Sequence, residues 1–416
     1  MKLPAKRINL SWRGSGLKKE DYRNSVLHQV RDLKELARIQ KEKCFHLEKL
    51  TEVMGRETAA GIKRVIFTGC GDSYSAAGAM LPGFKRLSGL KRCNAPDIMD
   101  FCCYYTRDKI LKGLKAEEVL VVAISFSGSA QRLEEALNKA NDLGVQSLLI
   151  TRNPDSRGGR AAKSVFNVET PDGCNSPGLR SYYASMVGMA ALGAYIGCCN
   201  GTLGEQEFYD TGETIAGYTL RFLEDLDRID EEMFAEAVKM KDLRKFELIA
   251  DWNEGSSAQF VEQKFIECGG VYCDHTTSEE FAHISFFFRG PEEFGTIVMV
   301  NEADRSLSRM KDTVNGCLAQ HRPTLVVTDL EASEFEVRQR DWSDVDNFYG
   351  IADQGFNSME QAGKAAVCHI AKAPEQWMSP FVDFIPGSLL AAYHAAVNEH
   401  HFFGGRFDFR TETWRG

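Results

Sequence analysis

Acid-base residue types stand at short, regular spacing in the second half of the chain. Lys264 and Glu267 are three residues apart in a helical pattern over 256–268, so both side chains lie on one face of a helix and can act together. Glu280 and His283 follow, with His283 sixteen residues after Glu267. A carboxylate of raised pKa can take a proton from carbon, and a histidine exchanges protons near neutrality. The residue types suit general acid-base chemistry, although on spacing alone a paired glutamate and a packed histidine are the more common explanation.

Glycines and hydroxyl groups follow two apolar segments of the first half. The turn GCGDS at 69–73 contains Gly71 and Ser73 and opens a helical pattern. The next such turn carries three serines at alternate positions: Ser125, Ser127 and Ser129. One serine in such a turn is commonly only a helix cap. Two turns of this kind favour a phosphate, because ligands of open α/β sheets bind at the carboxyl ends of the strands, where helix N-termini attract anions.

The elements that must position these residues are parallel sheets. Short apolar, β-rich runs alternate with helical patterns throughout, which is typical of a parallel sheet covered on both faces. The predicted strands are 65–68, 119–124, 148–151 and 165–168 in the first half, and 246–250, 271–273, 296–300, 324–328 and 367–370 in the second. We therefore predict an α/β fold with two mainly parallel sheets and helices on both faces of each.

The order of elements divides the chain into four segments. Residues 1–54 form a lead that is helical from Asn24, 55–204 form the first domain, 205–244 a helical linker, and 245–416 the second domain with a C-terminal tail. The linker has an expected buried stripe of Phe208, Ile215, Tyr218, Phe222 and Leu226. Because the two first strands lie about 180 residues apart and both enter polar turns, a divergent duplication would explain the arrangement.

Composition excludes several classes of protein. With 416 residues, 43% of them hydrophobic, the chain can form two domains with ordinary cores. A net charge of -9 gives no broad basic field, so neither nucleic acid nor membrane is expected as a partner. The start lacks a signal-peptide pattern and no apolar run reaches about 20 residues, which predicts a cytoplasmic protein. Twelve cysteines without Cys-x-x-Cys spacing predict buried, reduced thiols.

Several of these segments resemble the sugar isomerase (SIS) domain family, which includes the isomerase half of glucosamine-6-phosphate synthase and the fructosamine-6-phosphate deglycases. GCGDSY at 69–74 and ISFSGSA at 124–130 are similar to the phosphosugar loops CGTSY and SQSGET of that family, with Phe126 replacing the usual glutamine. The family's Lys-x-x-Glu and Glu-x-x-His segments are matched without a gap by Lys264, Glu267, Glu280 and His283. The resemblance extends from residue 24 to the final helical pattern.

The resemblance implies two tandem SIS domains and a role for each matching residue. The expected phosphate ligands are Gly71, Ser73, Ser125, Ser127, Ser129 and Ser181, and the expected catalytic group is Glu267, His283, Lys264 and Glu280. Glu267 is the implied base, and His283 the acid and ring-opening group. Since the family's histidine can come from a neighbouring subunit, a homodimer or higher homo-oligomer is also implied.

No cofactor and no metal ion are predicted. The turn at 69–73 lacks the further glycine and the distant acidic residue of a dinucleotide site. His394, His400 and His401 have no acidic or cysteine partner in a metal-binding pattern.

The choice of reaction depends on a missing lysine. Isomerase relatives carry a near-terminal lysine that forms an imine, but here no lysine follows Lys372, and Arg406 and Arg410 stay protonated. We therefore predict cleavage of the C–N bond of a phosphorylated ketosamine or sugar-amino acid adduct. An aldose-ketose or amino-sugar phosphate isomerase and a non-catalytic sugar-phosphate sensor remain as alternatives.

Overall fold

The computed structural model describes residues 16–22, 24–174, 177–335 and 365–401, and within them the chain forms two five-stranded parallel sheets. The first sheet contains β1 (Arg64–Gly69), β2 (Arg92–Asn94), β3 (Val119–Ile124), β4 (Gln146–Thr151) and β5 (Ser164–Asn167). The second contains β6 (Lys245–Ala250), β7 (Tyr272–Thr276), β8 (Phe294–Met299), β9 (Thr324–Thr328) and β10 (Ala366–His369). The predicted α/β class with two parallel sheets is confirmed.

The two sheets have the same strand order. The first runs β2-β1-β3-β4-β5, and the second, read from its other edge, runs β7-β6-β8-β9-β10. In the first sheet Gly69 at the end of β1 pairs with Ile124 at the end of β3, and in the second Ala250 pairs with Met299 in the same way. The turns after β1 and β3 therefore lie side by side at one edge, where open α/β sheets bind ligands.

Helices cover both faces of the sheets. In the first half they are α1 (Ser25–Cys44), α2 (Leu47–Val53), α3 (Arg56–Gly61), α4 (Asp72–Ser88), α5 (Arg107–Leu111), α6 (Gln131–Asp142), α7 (Arg157–Ala161) and α8 (Arg180–Cys199). The rest of the described chain contains α9 (Glu205–Glu224), α10 (Leu226–Lys239), α11 (Glu254–Gly269), α12 (Ser278–His283), α13 (Leu307–Ala319) and α14 (Phe384–Val397). Helices α9 and α10 occupy the predicted linker, and the whole predicted stripe from Phe208 to Leu226 is buried.

The lead helix α1 fixes a segment that belongs to the first domain. Its N-cap is Asn24, whose side chain accepts hydrogen bonds from the backbone N–H groups of Val26 and Leu27. One turn on, the buried Gln29 side chain donates to the carbonyl of Pro177 at 2.6 Å and accepts from the N–H of Leu179 at 3.1 Å. These bonds set the path of the chain into α8.

Helix α8 is the centre of the core. It is buried along nearly its full length and packs on α4 and α1. It is also long and apolar enough to cross a membrane, which differs from the prediction that no apolar run reaches about 20 residues, but 89% of that stretch is buried inside the fold, as expected for a core helix. The Tyr182 ring of α8 stacks on the Phe260 ring of α11 at 3.9 Å and so joins the two halves.

All twelve cysteines are free thiols, as the sequence predicts. The prediction that they are buried is wrong for Cys70, Cys103 and Cys174, which are exposed. Cys70 is exposed because it lies in the turn between β1 and α4, where the chain leaves the sheet.

Candidate functional site

A pocket of about 430 Å³ opens at the carboxyl ends of β1 and β3. Three segments of the first domain and one helix of the second form its walls. Its lining consists of Cys70, Gly71, Asp72, Ser73, Ser125, Phe126, Ser127, Ala130, Ser181, Gln263 and Glu267. Five of the six predicted phosphate ligands and the predicted base therefore meet in one pocket.

The first wall is the turn from β1 into α4. Gly69 lets this turn approach β3, since a Cβ there would lie 3.0 Å from the Ile124 carbonyl oxygen. Gly71 has a left-handed φ of +53° and its carbonyl accepts from the N–H of Ser75, which starts the helix. The N-terminus of α4, with Ser73 in its first turn, therefore faces the pocket and favours an anion there.

The second wall is the serine turn after β3. Ser125 Oγ accepts from the N–H of Gly128 at 3.0 Å, and Ser127 Oγ lies 2.9 Å from Ser129 Oγ. Gly128 has a φ of +65°, and a Cβ there would lie only 2.0 Å from Ser156 Oγ. Ser129, a predicted phosphate ligand, does not line the pocket. Its hydroxyl instead contacts the hydroxyl of Ser127.

Ser181 forms the third wall from the first turn of α8. The preceding Gly178 packs so closely that a Cβ would lie 2.5 Å from Asp72 Oδ2 and 2.7 Å from Ser181 Oγ. The bonds of Gln29 to this segment therefore help to place the Ser181 hydroxyl in the pocket.

The fourth wall carries the acid-base group on α11. The Lys264 ammonium lies 2.5 Å from Glu267 Oε2 and 3.0 and 3.1 Å from the two Asp72 carboxylate oxygens. The Lys264 side chain is 0% exposed, whereas Asp72 and Glu267 are 22% and 31% exposed. The lysine thus links two carboxylates from different domains, and both carboxylates reach the pocket.

Burial and charge set the protonation of this group. Burial raises the pKa of Glu267, the Lys264 ammonium lowers it and the Asp72 carboxylate raises it, so the pKa lies above its ordinary value. For Lys264, burial alone would lower the pKa, but the carboxylates of Asp72 and Glu267 outweigh burial and raise it. Lys264 therefore stays charged, and Glu267 is a stronger base than an exposed glutamate.

His283 and Glu280 lie elsewhere on the chain's surface. The His283 side chain, at the end of α12, is 67% exposed, and its Nε2 lies 3.0 Å from Glu279 Oε1. Glu279 also accepts from Arg309 Nε at 2.8 Å. Neither His283 nor Glu280 lines the pocket, so one chain does not bring them to Glu267. Their catalytic roles remain predictions.

Two polar pocket residues were missed by the sequence analysis. Gln263 lies four residues before Glu267 and hence on the same helical face, a spacing that could have revealed it; its Nε2 donates to Ser75 Oγ at 3.2 Å. Asp72 lies inside the GCGDSY turn, between Gly71 and Ser73, where an acidic residue was itself a signal. Phe126, noted as a departure from the family pattern, also lines the pocket.

Outside the pocket, one group of side chains has the composition of a metal site. Ligand atoms of Glu262, Asp274 and His275 lie within 4.8 Å of one another, and His275 Nδ1 is 2.5 Å from Glu262 Oε2. His394, considered as a ligand at the sequence level, is instead buried with its Nε2 3.1 Å from the Leu243 carbonyl oxygen. Arg406 and Arg410 lie outside the described residues.

Comparisons with known proteins agree with this architecture. Residues 106–196 match the family model described as SIS domain, while no curated protein sequence matches the chain significantly. The C-terminal domain of glucosamine-fructose-6-phosphate aminotransferase from Francisella tularensis is similar over 93% of this chain and 99% of its own length, with a TM-score of 0.73 and 15% identity.

Two further solved structures share the fold. Tagatose-6-phosphate ketose/aldose isomerase from Escherichia coli is similar over 90% of this chain and 95% of its own, with a TM-score of 0.59 and 14% identity. Glucosamine-6-phosphate deaminase from Thermotoga maritima is similar over 91% and 96%, with a TM-score of 0.60 and 13% identity. The predicted fold of two tandem SIS domains is confirmed.

Proposed function

We propose, since the chain belongs to the SIS-domain family, that it is a cytoplasmic enzyme acting on the C–N bond of a phosphorylated ketosamine or sugar-amino acid adduct. One observation carries the proposal: Glu267, which is bonded to the buried Lys264, lines the same pocket as the turns that carry the serine hydroxyls. The solved structures that share this fold include a tagatose-6-phosphate ketose/aldose isomerase and a glucosamine-6-phosphate deaminase.

The phosphate of the substrate binds at the serine turns. The N-terminus of α4 and the hydroxyls of Ser73, Ser125, Ser127 and Ser181 converge there, and Gly71 lets the backbone turn toward the anion. None of the described residues that line the pocket is basic, and within this part of the chain hydroxyls, backbone N–H groups and the helix N-terminus supply the attraction.

Glu267 performs the proton transfer. Its carboxylate removes a proton from C1 of the ketosamine, the C1–H electron pair forms the C1=C2 double bond, and the C2 carbonyl oxygen takes a proton from solvent to become a hydroxyl. Return of the proton from Glu267 to C2 leaves a protonated imine at C1, which water hydrolyses to an aldose phosphate and the free amine, with release of the extra proton to solvent. The raised pKa of Glu267 suits this base. Lys264 holds the carboxylate in place.

His283 assists ring opening and amine departure from the partner subunit of a homodimer, with Glu280 beside it. This assignment is supported by the exposure of His283 and by its neighbours Ile284 and Phe287, whose large apolar side chains are exposed as well. Exposed apolar residues around a polar reactive group are typical of a surface that another chain covers.

Release of amine from fructosamine 6-phosphates by the purified protein tests the proposal. We expect equal amounts of amine and aldose phosphate to form from at least one adduct, and the Glu267→Gln variant to form neither. Absence of both products from every adduct would falsify the C–N cleavage reaction.

Aldose-ketose isomerisation without nitrogen chemistry is the second candidate. It is favoured by the finding that, of the described residues, Glu267 but no histidine lines the pocket, because a single carboxylate can move a proton between C1 and C2. Interconversion of ketose and aldose phosphates with no amine in the products would identify it. Tight binding of sugar phosphates with no turnover of any kind would identify a sensor.

A further inference from the structure

The charge of the pocket is unusual for a site that binds a phosphorylated ligand. Among the residues that the structure describes, its lining includes two acids, Asp72 and Glu267, and no lysine, arginine or histidine. Lys264 neutralises one of the two negative charges, but its side chain is 0% exposed and cannot itself contact a ligand. The group of three thus presents a net negative charge to the pocket.

Asp72 is held with its carboxylate at the pocket surface. Lys264 donates to both of its oxygens at 3.0 and 3.1 Å, and Gly178 packs so close that a Cβ there would lie 2.5 Å from Asp72 Oδ2. A carboxylate has about four acceptor sites, so Asp72 can accept further hydrogen bonds through its exposed part. It is the first residue of α4 and therefore belongs to the helix N-terminus that faces the pocket.

Asp72 connects the phosphate-binding turn of the pocket with the proposed base, Glu267. Along the chain it separates Gly71 from Ser73 in the phosphate turn, and through Lys264 it is linked to Glu267. A sugar phosphate that spans these two regions places its reacting carbons near Asp72. A neutral hydroxyl in that position leaves the net negative charge uncompensated, whereas an ammonium group compensates it.

We propose that Asp72 is a specificity-determining residue that, together with Glu267, receives the protonated amine of the substrate. The inference rests on the proposed function and deepens it: the enzyme selects sugar phosphates that carry a cationic nitrogen next to the reacting carbon. Lys264 bonds to both carboxylates and holds them in place, so the amine binds across the two of them.

The test is titration calorimetry of the whole protein with two matched ligands, glucosamine 6-phosphate and glucose 6-phosphate. They differ only in an amine or a hydroxyl at C2. We expect the wild-type protein to bind the amine at least about tenfold more tightly, as one charge-assisted hydrogen bond gives. Asp72→Asn keeps the side-chain shape and should bring the two affinities within about twofold of each other. Equal affinities in the wild type, or a preference that survives in Asp72→Asn, would overturn the inference.

A second measurement uses only the wild-type protein, so that misfolding of a variant cannot affect its result. In the wild-type protein, the preference for the amine should fade as the pH rises past the pKa of the ligand's ammonium group, while glucose 6-phosphate binding stays level. A preference unchanged over that range would also overturn the inference. Binding of both ligands without preference leaves the phosphosugar function standing, whereas binding of neither overturns that function and the inference with it.

Discussion

Lys264 and Asp72 are 192 positions apart in the sequence, and yet the lysine ammonium lies 3.0 Å from the aspartate carboxylate. The contact crosses from the second domain to the first. Because the same ammonium also binds Glu267, the placement of the proposed base depends on how the two domains pack.

Glu267→Gln should lower kcat by a much larger factor than it raises KM. The amide keeps the shape of the side chain but cannot take a proton, so we expect a loss of about 10²- to 10⁴-fold in kcat. Glu262→Gln is the matched control, because Glu262 lies on the same helix but does not line the pocket. Similar losses in both variants would contradict a specific role for Glu267.

Ser73→Ala and Ser127→Ala should each weaken substrate binding. Loss of a hydrogen bond to a charged phosphate costs about 1.5–3 kcal/mol, which corresponds to roughly 10- to 100-fold in Kd by calorimetry. Ser88→Ala is the control, because that hydroxyl is bonded to the Phe84 carbonyl at the far end of α4. Unchanged Kd values in both pocket variants would show that the phosphate does not bind at the serine turns.

Lys264→Met should destabilise the protein. It leaves the carboxylates of Asp72 and Glu267 close together without their cation, and loss of one partner of a buried pair costs about 3 kcal/mol or more. The measurement is urea unfolding. Lys372→Met is the control, since its pair with Glu302 is exposed and solvent screening leaves it little effect on stability. Equal effects of the two variants would show that the buried contact has no special weight.

Mixed dimers test whether His283 acts across subunits. Neither Glu267→Gln nor His283→Ala should be active alone. Co-expressed chains form heterodimers in which one site has both residues intact, so about a quarter of wild-type activity should return. A mixture of the two separately purified variants, measured before subunits exchange, is the control. Failure of co-expression to restore activity would place both residues in one chain's site or remove His283 from the mechanism.

Asp383→Asn should change how stability depends on pH. Burial raises the pKa of Asp383 from 3.8 to about 7. Between these values the folded state holds a proton that the unfolded state has lost, so this group's contribution to stability falls as pH rises from about 4 to about 7. His394, with its pKa lowered to about 4 by burial, has the opposite slope.

Between pH 4 and pH 7 the free energy of unfolding should therefore fall less in the variant than in the wild type. The two falls should differ by an amount on the order of 2–4 kcal/mol. The free energy of urea unfolding at several pH values measures it. Asp142→Asn, an exposed position on α6, is the control and should run parallel to the wild type. Parallel curves for Asp383→Asn would show that its carboxyl is charged in the folded protein.

Central strands were predictable from the sequence, and edge strands less so. The predicted bounds of β3 and β9 match because each is a continuous apolar, β-branched run that is buried on both faces. The edge strand β2, of sequence Arg-Cys-Asn, has no such run and was missed. An edge strand of the second sheet, β7, was predicted at 271–273 but includes Asp274 and His275, because an edge strand tolerates polar residues.

The site was predictable where its residues are contiguous in sequence. Ser125, Ser127 and the Lys264–Glu267 pair belong to short motifs, and all but the buried Lys264 line the pocket. The link from Lys264 to Asp72 could not be predicted, since it arises from packing of α11 against α4, which no local pattern encodes. The location of His283 relative to the pocket depends on the assembled protein for the same reason.

Because α4 packs against α11, the rate of turnover should depend on how the two domains are placed against each other. Neither domain expressed by itself would carry a working reaction centre, because each supplies only part of it. A small molecule wedged into this seam, displacing the carboxylate by about 1 Å, would cut the rate as much as about a hundredfold without touching a reactive atom. Inhibitors of this protein could thus be sought at the domain boundary as well as in the sugar pocket.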